Sequence, residues 1–284
     1  MAKSAALEAG RVLLDYFNRA TTVTWKGKSN IATDADLASE KVVIETLTGE
    51  FPGHDIVGEE SGSSGQKSEY TWLVDPLDGT NNFLAGIPHF CTTMSLTRNG
   101  EILLGVTYDP LRQELFHSAQ GVPAFLNDQV ITASRTETME ASLIGFDVGY
   151  NLEEGPRMLG MAESLWKDVH GLRLMGSAAM GLAYVAAGRM ELYCHRFLYP
   201  WDIAAGILLV RNAGGVVTDW DGAPATPDSR QIVAGGPKLN SLFREWCRSR
   251  SSLSAGKETF LRTDSLVAPH ETFHPTEGLF DVRH

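Results

Sequence analysis

Trp72-Leu73-Val74-Asp75-Pro76-Leu77-Asp78-Gly79-Thr80-Asn81-Asn82 reads as a short apolar strand that ends in a carboxylate. A second carboxylate stands three residues on, with a Gly-Thr turn directly behind it. Upstream, Gly58-Glu59-Glu60-Ser61 adds two more, so four carboxylates fall within twenty residues. Pro76 fixes φ and removes a backbone donor, which lets Asp75 and Asp78 turn the same way. Two carboxylates ~4 Å apart repel by roughly 4 kcal/mol at an effective dielectric of ~20, and a divalent cation reverses that sign. The ligands on offer are oxygen only, which favours magnesium, manganese or calcium over zinc. Gly79, Thr80 and Asn81 open a short helix whose free amides can hold a phosphate. The same residues have ordinary uses as well. Asp-Pro and Asp-Gly are common turn dipeptides, and an Asp before a helix is an N-cap.

Outward from this stretch, Asp55-Ile56-Val57 reads as another short strand. Glu59 and Glu60 are adjacent; if strand-like they face opposite sides, so at most one points at a cation site. Residues 5–17 place Ala6, Ala9, Leu13, Tyr16 and Phe17 on one helical face. A second helix starts near Asp34 and runs to Thr48, with Leu37, Ile44 and Leu47 on one side and Gly49 and Pro52 at its end. Asp36 reads as a first-turn or capping residue, with Asp34 as the alternative cap. From Cys91 to Val130, turn signals at Asn99-Gly100 and Asp109-Pro110 predict an antiparallel meander. After about residue 140, strands alternate with helices, including a helix from Ser177, a strand Met190–Cys194, a helix from Asp202 and a last helix Leu239–Arg248. The chain therefore divides into a half over 1–140, a half over 141–249 and a tail over 250–284.

The bulk numbers narrow the class. The chain has 284 residues, 43% of them hydrophobic, and a net charge of −11. That balance predicts no nucleic-acid partner held by charge. Cys91, Cys194 and Cys247 are an odd set without close spacing, which reads as free thiols. No secretory pattern opens the chain, and no apolar run approaches the ~18 residues of a membrane span, so the expectation is a cytoplasmic protein without a membrane partner. His270-Glu271-Thr272-Phe273-His274 matches a zinc-protease pattern, but Pro269 and Pro275 bracket it and leave no stable helix to align the histidines.

Taken together, Glu59-Glu60-Ser61, Asp75-Pro76-Leu77-Asp78-Gly79-Thr80 and Trp201-Asp202-Ile203-Ala204-Ala205-Gly206 resemble the three motifs of the inositol monophosphatase family, in order. Gly176-Ser177-Ala178-Ala179 and Ala213-Gly214-Gly215 are also similar to it, and the resemblance spans about residues 5–247. It implies an α/β (α+β) layered sandwich of the inositol monophosphatase / fructose-1,6-bisphosphatase type. It implies hydrolysis of a small phosphate monoester by a magnesium-activated water, inhibition by lithium, and a homodimer. By the same resemblance, Glu59, Asp75 and the Leu77 carbonyl would hold one Mg2+, and Asp75, Asp78 and Asp202 a second. A third, looser ion would sit by Glu59, and Mn2+ would substitute. Asp36 and Thr80 would orient or deprotonate the water, and the Gly79 and Thr80 amides would bind the phosphate. Gly176, Ser177, Ala178 and His195 would contact the substrate.

Inositol 1-phosphate is the first substrate implied. Fructose 1,6-bisphosphate, a 3′(2′),5′-bisphosphate nucleotide and histidinol phosphate are alternatives, and a regulatory protein without turnover is a remote one. The chain departs from the pattern at His195, where many members carry glutamate, and at Asn30, where aspartate is common. With an ordinary pKa of ~6.5, His195 is expected to make substrate choice sensitive to pH.

Overall fold

The computed structural model describes residues 1–19, 21–27 and 30–254. Helix α1 (Ala2–Tyr16), the antiparallel pair β1 (Val23–Gly27) and β2 (Asn30–Thr33), and helix α2 (Asp34–Glu50) come first. Then come β3 (Asp55–Gly58), β4 (Gly62–Ser63), β5 (Tyr70–Asp78), the short helix α3 (Thr80–Leu84), β6 (Cys91–Arg98), β7 (Glu101–Asp109), β8 (Glu114–Ala119), β9 (Phe125–Leu126) and β10 (Gln129–Val130). These strands form an eight-stranded sheet in the order β10-β9-β8-β7-β6-β5-β3-β4. From β5 to β10 each strand pairs antiparallel with the next, as the turn signals predict.

The second part contributes β11 (Leu143–Phe146), α4 (Glu154–Leu165), β12 (Gly171–Leu174), α5 (Ala178–Ala186), β13 (Leu192–His195), α6 (Pro200–Asn212), β14 (Val216–Thr218), β15 (Ile232–Gly235) and α7 (Pro237–Ser254). Its five strands run in the order β12-β11-β13-β15-β14.

Three buried clusters stack these elements into layers. On one face of the large sheet, Ala5, Ala6 and Ala9 of α1 and Val43 and Leu47 of α2 cover Trp72, Val74, Met94 and Val106. On its other face α5 and α6 form a shared layer, in contact with Leu73 and Phe116 of the large sheet and with Tyr193, Ile232 and Ala234 of the small one. Helix α6 is buried continuously from Ile203 to Val210, as a helix apolar on every side must be. Beyond the small sheet, α4 and α7 pack Met158, Leu165 and Phe243 onto Ile144, Leu192 and Val233. The result is helix, sheet, helix, sheet, helix, the layered sandwich expected.

Trp72 anchors the first half. It is 1% exposed, its indole N–H donates to His54 Nδ1 at 3.2 Å, and Phe51 lies 5.7 Å from it, ring to ring. Trp72→Ala is expected to cost about 3–5 kcal/mol, read as a lower urea midpoint at unchanged m-value.

Several boundaries differ from the sequence reading. Helix α6 begins at Pro200 and not at Asp202, because proline suits the first helical position, where no N–H is needed. Helix α7 runs past Arg248 to Ser254. The rest of the tail, with the His270–His274 segment, lies outside the described residues. Cys91 and Cys194 are buried and Cys247 half-buried, all as free thiols. Among the described residues no helix is long and apolar enough to cross a membrane.

Candidate active site

Strand β5 does not stop at Asp75. It continues to Asp78 with a bulge, since Asp75 pairs with Thr93 but Asp78 pairs with Cys91. Residues three apart on a regular strand face opposite sides; one extra residue brings both carboxylates to the same side. Asp75 fixes the bulge by accepting the Leu77 N–H at 3.0 Å, and Ser39 of α2 donates to the Pro76 carbonyl at 3.0 Å. The chain then turns at Gly79, whose φ of +97° and nearness to the carbonyls of His89 and Gly176 leave no room for a side chain. Helix α3 starts there. Phe83 holds it against Phe17 and Phe90, with centroids 5.4 and 4.9 Å apart.

Helix α2 supports this turn with a polar buried face. Its cap is Thr33, whose hydroxyl accepts the Ala35 N–H at 3.2 Å. Asp34 instead accepts the Thr22 N–H at 3.2 Å. Asp36 Oδ2 takes the Thr33 amide and hydroxyl at 2.8 and 2.6 Å, while Oδ1 faces the Thr80 hydroxyl at 3.1 Å. So Asp36 is both a capping residue and the partner of Thr80. One turn on, the buried Glu40 accepts the Glu60 N–H at 3.0 Å.

Glu59 and Glu60 do not alternate as a strand would place them. They lie in the turn after β3, and both reach Lys26 of β1, at 3.3 and 2.5 Å. Burial works against the charge on Lys26, but the two glutamates outweigh it and raise its pKa.

The second half closes the cleft. Asp202 sits in the first turn of α6 and accepts the Tyr199 N–H at 2.7 Å. Helix α5 aims its N-terminus at Asp78. The Ser177 hydroxyl donates at 2.7 Å, the Ala179 N–H at 2.6 Å and the Ala178 N–H at 3.3 Å. The amides that the sequence offered to a substrate are therefore engaged with a carboxylate of the first half. Glu59, Asp75, Leu77, Asp78, Gly79 and Thr80 line one cleft of about 200 Å3. Gly176, Ser177, Ala178, His195 and Asp202 line the same cleft from the opposite side. Asp36 stands behind it, fully buried, and reaches it through Thr80.

The electrostatics are those of crowded negative charge. Asp75 is pushed well above the usual carboxylate range by burial first, then by Glu59, Asp78 and Asp202. Asp202 is pushed the same way by burial and by Asp78. Burial raises Glu59 to about 7 against the pull of Lys26, and raises Asp36 to about 6 against the hydrogen bonds from Thr33. Burial also raises Asp78, opposed by its Ser177, Ala179 and Ala178 donors.

A hard dication fits such a donor set: four carboxylates and a backbone carbonyl, all oxygen, with charge in excess. Among the described residues no three Asp, Glu, His or Cys side chains already form a closed coordinating group. Glu59 leans to Lys26 and Asp78 to α5, so a cation would have to compete for both.

His195 overturns one expectation. It is 4% exposed, and burial pushes its pKa down to about 4. The ring is therefore neutral at physiological pH and does not titrate near 6.5.

Three residues of the site were not read from the sequence. Lys26 carries no local signal, because the β1–β2 pair brings it to Glu59 across the chain. Glu40 was hidden by its place in a helical pattern. Asp147 had a readable signal: it ends the apolar strand β11 as Asp75 ends the apolar run of β5. Asp147 lines the cleft, and burial raises it to about 7.

Known proteins resemble this chain in sequence and fold. A sequence model of the inositol monophosphatase family matches residues 1–251. A Xylella fastidiosa protein named Nus factor SuhB is 39% identical over 252 residues, 85% of this chain and 90% of that protein. The inositol monophosphatase of Dictyostelium discoideum is 38% identical over 244 residues, 82% of this chain and 90% of its own length. Among solved structures, the inositol monophosphatase from Anabaena is similar with a TM-score of 0.79 at 37% identity, over 89% of this chain and 95% of that one.

Proposed function

This chain belongs to the inositol monophosphatase family, and from that premise we propose that it hydrolyses a small phosphate monoester, inositol 1-phosphate first, in the carboxylate cleft. The observation that carries the reading is convergence. Glu59, Asp75, Asp78 and Asp202 come from a turn, a bulged strand and a distant helix, yet they line one cleft with the start of α3.

Glu59, Asp75, the Leu77 carbonyl, Asp78 and Asp202 would hold magnesium, or manganese in its place. When bound, the metal would supply Lewis acidity to the phosphate and to the attacking water. The chain's own groups do the rest. The Gly79 and Thr80 amides at the start of α3 bind phosphate oxygens. The one Thr80 hydroxyl proton lies between the Leu77 carbonyl at 2.9 Å and Asp36 at 3.1 Å; with the Leu77 carbonyl given to the metal it turns to Asp36, which leaves a Thr80 lone pair to orient the water. Asp36, near pH 6, is ionised at neutral pH and stands ready to take a proton through that hydroxyl. Asp36→Asn and Thr80→Ala should each lower kcat about 100-fold with little change in KM, as expected for groups that act in the transition state. Unchanged kcat in both would reject the pair.

The test of the whole reading is phosphate release by the wild-type protein with magnesium. The panel is inositol 1-phosphate, fructose 1,6-bisphosphate, adenosine 3′,5′-bisphosphate and histidinol phosphate. Release from none of them overturns it. Relatives named Nus factor SuhB favour a second reading, a Nus-factor role carried by protein contacts. A net charge of −11 argues against nucleic-acid binding by charge alone. A turnover-dead variant that keeps its cellular role would assign that role to the second reading.

A further inference from the structure

A second cavity, of about 550 Å3, lies in the outer helix layer between α4 and α7. Arg157, Gly160 and Ser164 line it from one face of α4, and Trp246 and Arg250 from one face of α7. Arg196, just past β13, and Trp220 close it. The space beside Gly160 is open, since a Cβ there would meet nothing within 4 Å. The chain has a net charge of −11, yet the described residues lining this cavity include three arginines and no carboxylate. Two carboxylates serve the three from outside. Glu154 is shared by Arg157 and Arg196, and Asp168 accepts from Arg250 at 2.8 Å. Each guanidinium thus makes one hydrogen bond to the protein among the described residues, and most of its N–H donors remain. The positive charge reaches Cys247 as well: burial pushes its thiol up to about 12, and Arg196, Arg250 and Arg248 oppose that rise. The tryptophans hold two of the forks in place. The Arg196 guanidinium lies 4.2 Å from the Trp220 ring centroid, and that of Arg250 lies 4.3 Å from the Trp246 centroid. Trp220 is fixed by donating to the His195 carbonyl at 3.3 Å, and Trp246 by donating to Asp168 at 2.7 Å. A guanidinium laid on an aromatic face keeps its edge donors pointing outward, preorganised for an acceptor.

We propose that this cavity, apart from the carboxylate cleft, is a binding site for a polyphosphate group. Guanidinium forks match phosphate oxygens two at a time. Arginines kept only for structure would be balanced; here three face two carboxylates, and the surplus charge and donors open on a volume in the range of small-ligand sites. The three stand on separate elements, α4, the exit of β13 and α7, so together they span more than one phosphate. Inorganic triphosphate and a nucleoside triphosphate both present the group they fit. Binding needs no dication, because the guanidiniums supply the charge. In this it is independent of the phosphatase reading.

The experiment is isothermal titration calorimetry of the full chain in EDTA, with inorganic triphosphate, ATP and inorganic phosphate as probes. Without a dication the carboxylate cleft repels all three. Triphosphate should bind at least ~10-fold more tightly than phosphate, because it gains further charge-assisted hydrogen bonds. Arg157→Gln and Arg250→Gln should each weaken it at least ~10-fold, the scale of one such bond lost. Their side chains are 61% and 41% exposed, so both variants should stay folded, checked by melting temperature. Arg250→Lys keeps the charge without the fork and should fall between wild type and Arg250→Gln. Triphosphate should also change the tryptophan emission, and the change should shrink in Trp246→Phe. Tighter binding of ATP than of inorganic triphosphate assigns the site to a nucleotide; equal or weaker binding assigns it to the free chain of phosphates. No binding of triphosphate, equal affinity for triphosphate and phosphate, or undiminished affinity in either folded glutamine variant would overturn the site.

Discussion

Exhaustive treatment with EDTA should abolish phosphate release, magnesium or manganese should restore it, and calcium should not. The cleft concentrates carboxylates that burial already strains, so without a dication it repels a phosphate dianion. Calcium's longer bonds and looser coordination fit the donor set but do not align it. The same argument gives a readout free of turnover. Asp36 near 6 and Glu59 near 7 stand above the ordinary values of about 3.9 and 4.3. Between about pH 4 and 7 the cation-free folded protein therefore holds protons that the unfolded chain has released. Stability from these groups is present below about pH 4 and is lost as pH rises to about 7. A dication competes with those protons, so stabilisation by magnesium should grow across that window. At ~100 times its Kd, magnesium should contribute about 2.7 kcal/mol, or roughly 5–10 °C in melting temperature. Full turnover in EDTA, with a melting temperature at pH 7 indifferent to magnesium, would remove the metal from the account.

Much of this site was legible because its chemistry is local. Asp75, Asp78, Gly79 and Thr80 lie on one strand–turn–helix, and Glu59 follows directly on the parallel neighbour β3. What was misread was misread for a physical reason. On α2, the apolar residues Leu37, Ile44 and Leu47 suggest the buried face. The buried residues are Ala35, Asp36, Ser39, Glu40, Val43 and Leu47, so of the three only Leu47 is fully buried, and Leu37 is 53% exposed. Near the site the buried positions are polar because they hold Thr80, Pro76 and Glu60, so a hydrophobic pattern points the wrong way. Lys26 and the α5–Asp78 contact were not legible, since each joins residues far apart in the chain through tertiary packing. The pKa of His195 was not legible either, because burial sets it.

Asp78→Asn should lower kcat at least ~100-fold and weaken the magnesium requirement's apparent affinity, while the protein remains folded. Asp78 is the point where the two halves meet in one carboxylate. An asparagine oxygen can still accept from Ser177 and Ala179, but its amide then faces the Ala178 N–H with donor against donor. The lost charge at the α5 N-terminus costs about 0.3–2 kcal/mol. Removing one of several crowded carboxylates works the other way by relieving like-charge repulsion, which for a pair ~4 Å apart is at most roughly 4 kcal/mol before screening. The two effects offset, so the melting temperature without metal should move by only a few degrees. Turnover would have no such compensation: on the proposed metal reading, a neutral amide would stand in place of an anionic ligand of the cation. Assays at saturating magnesium separate the possibilities. If kcat stays near the wild-type value there, Asp78 serves only to cap α5. If kcat collapses while the fold and the α5 contact persist, Asp78 acts on the reaction itself.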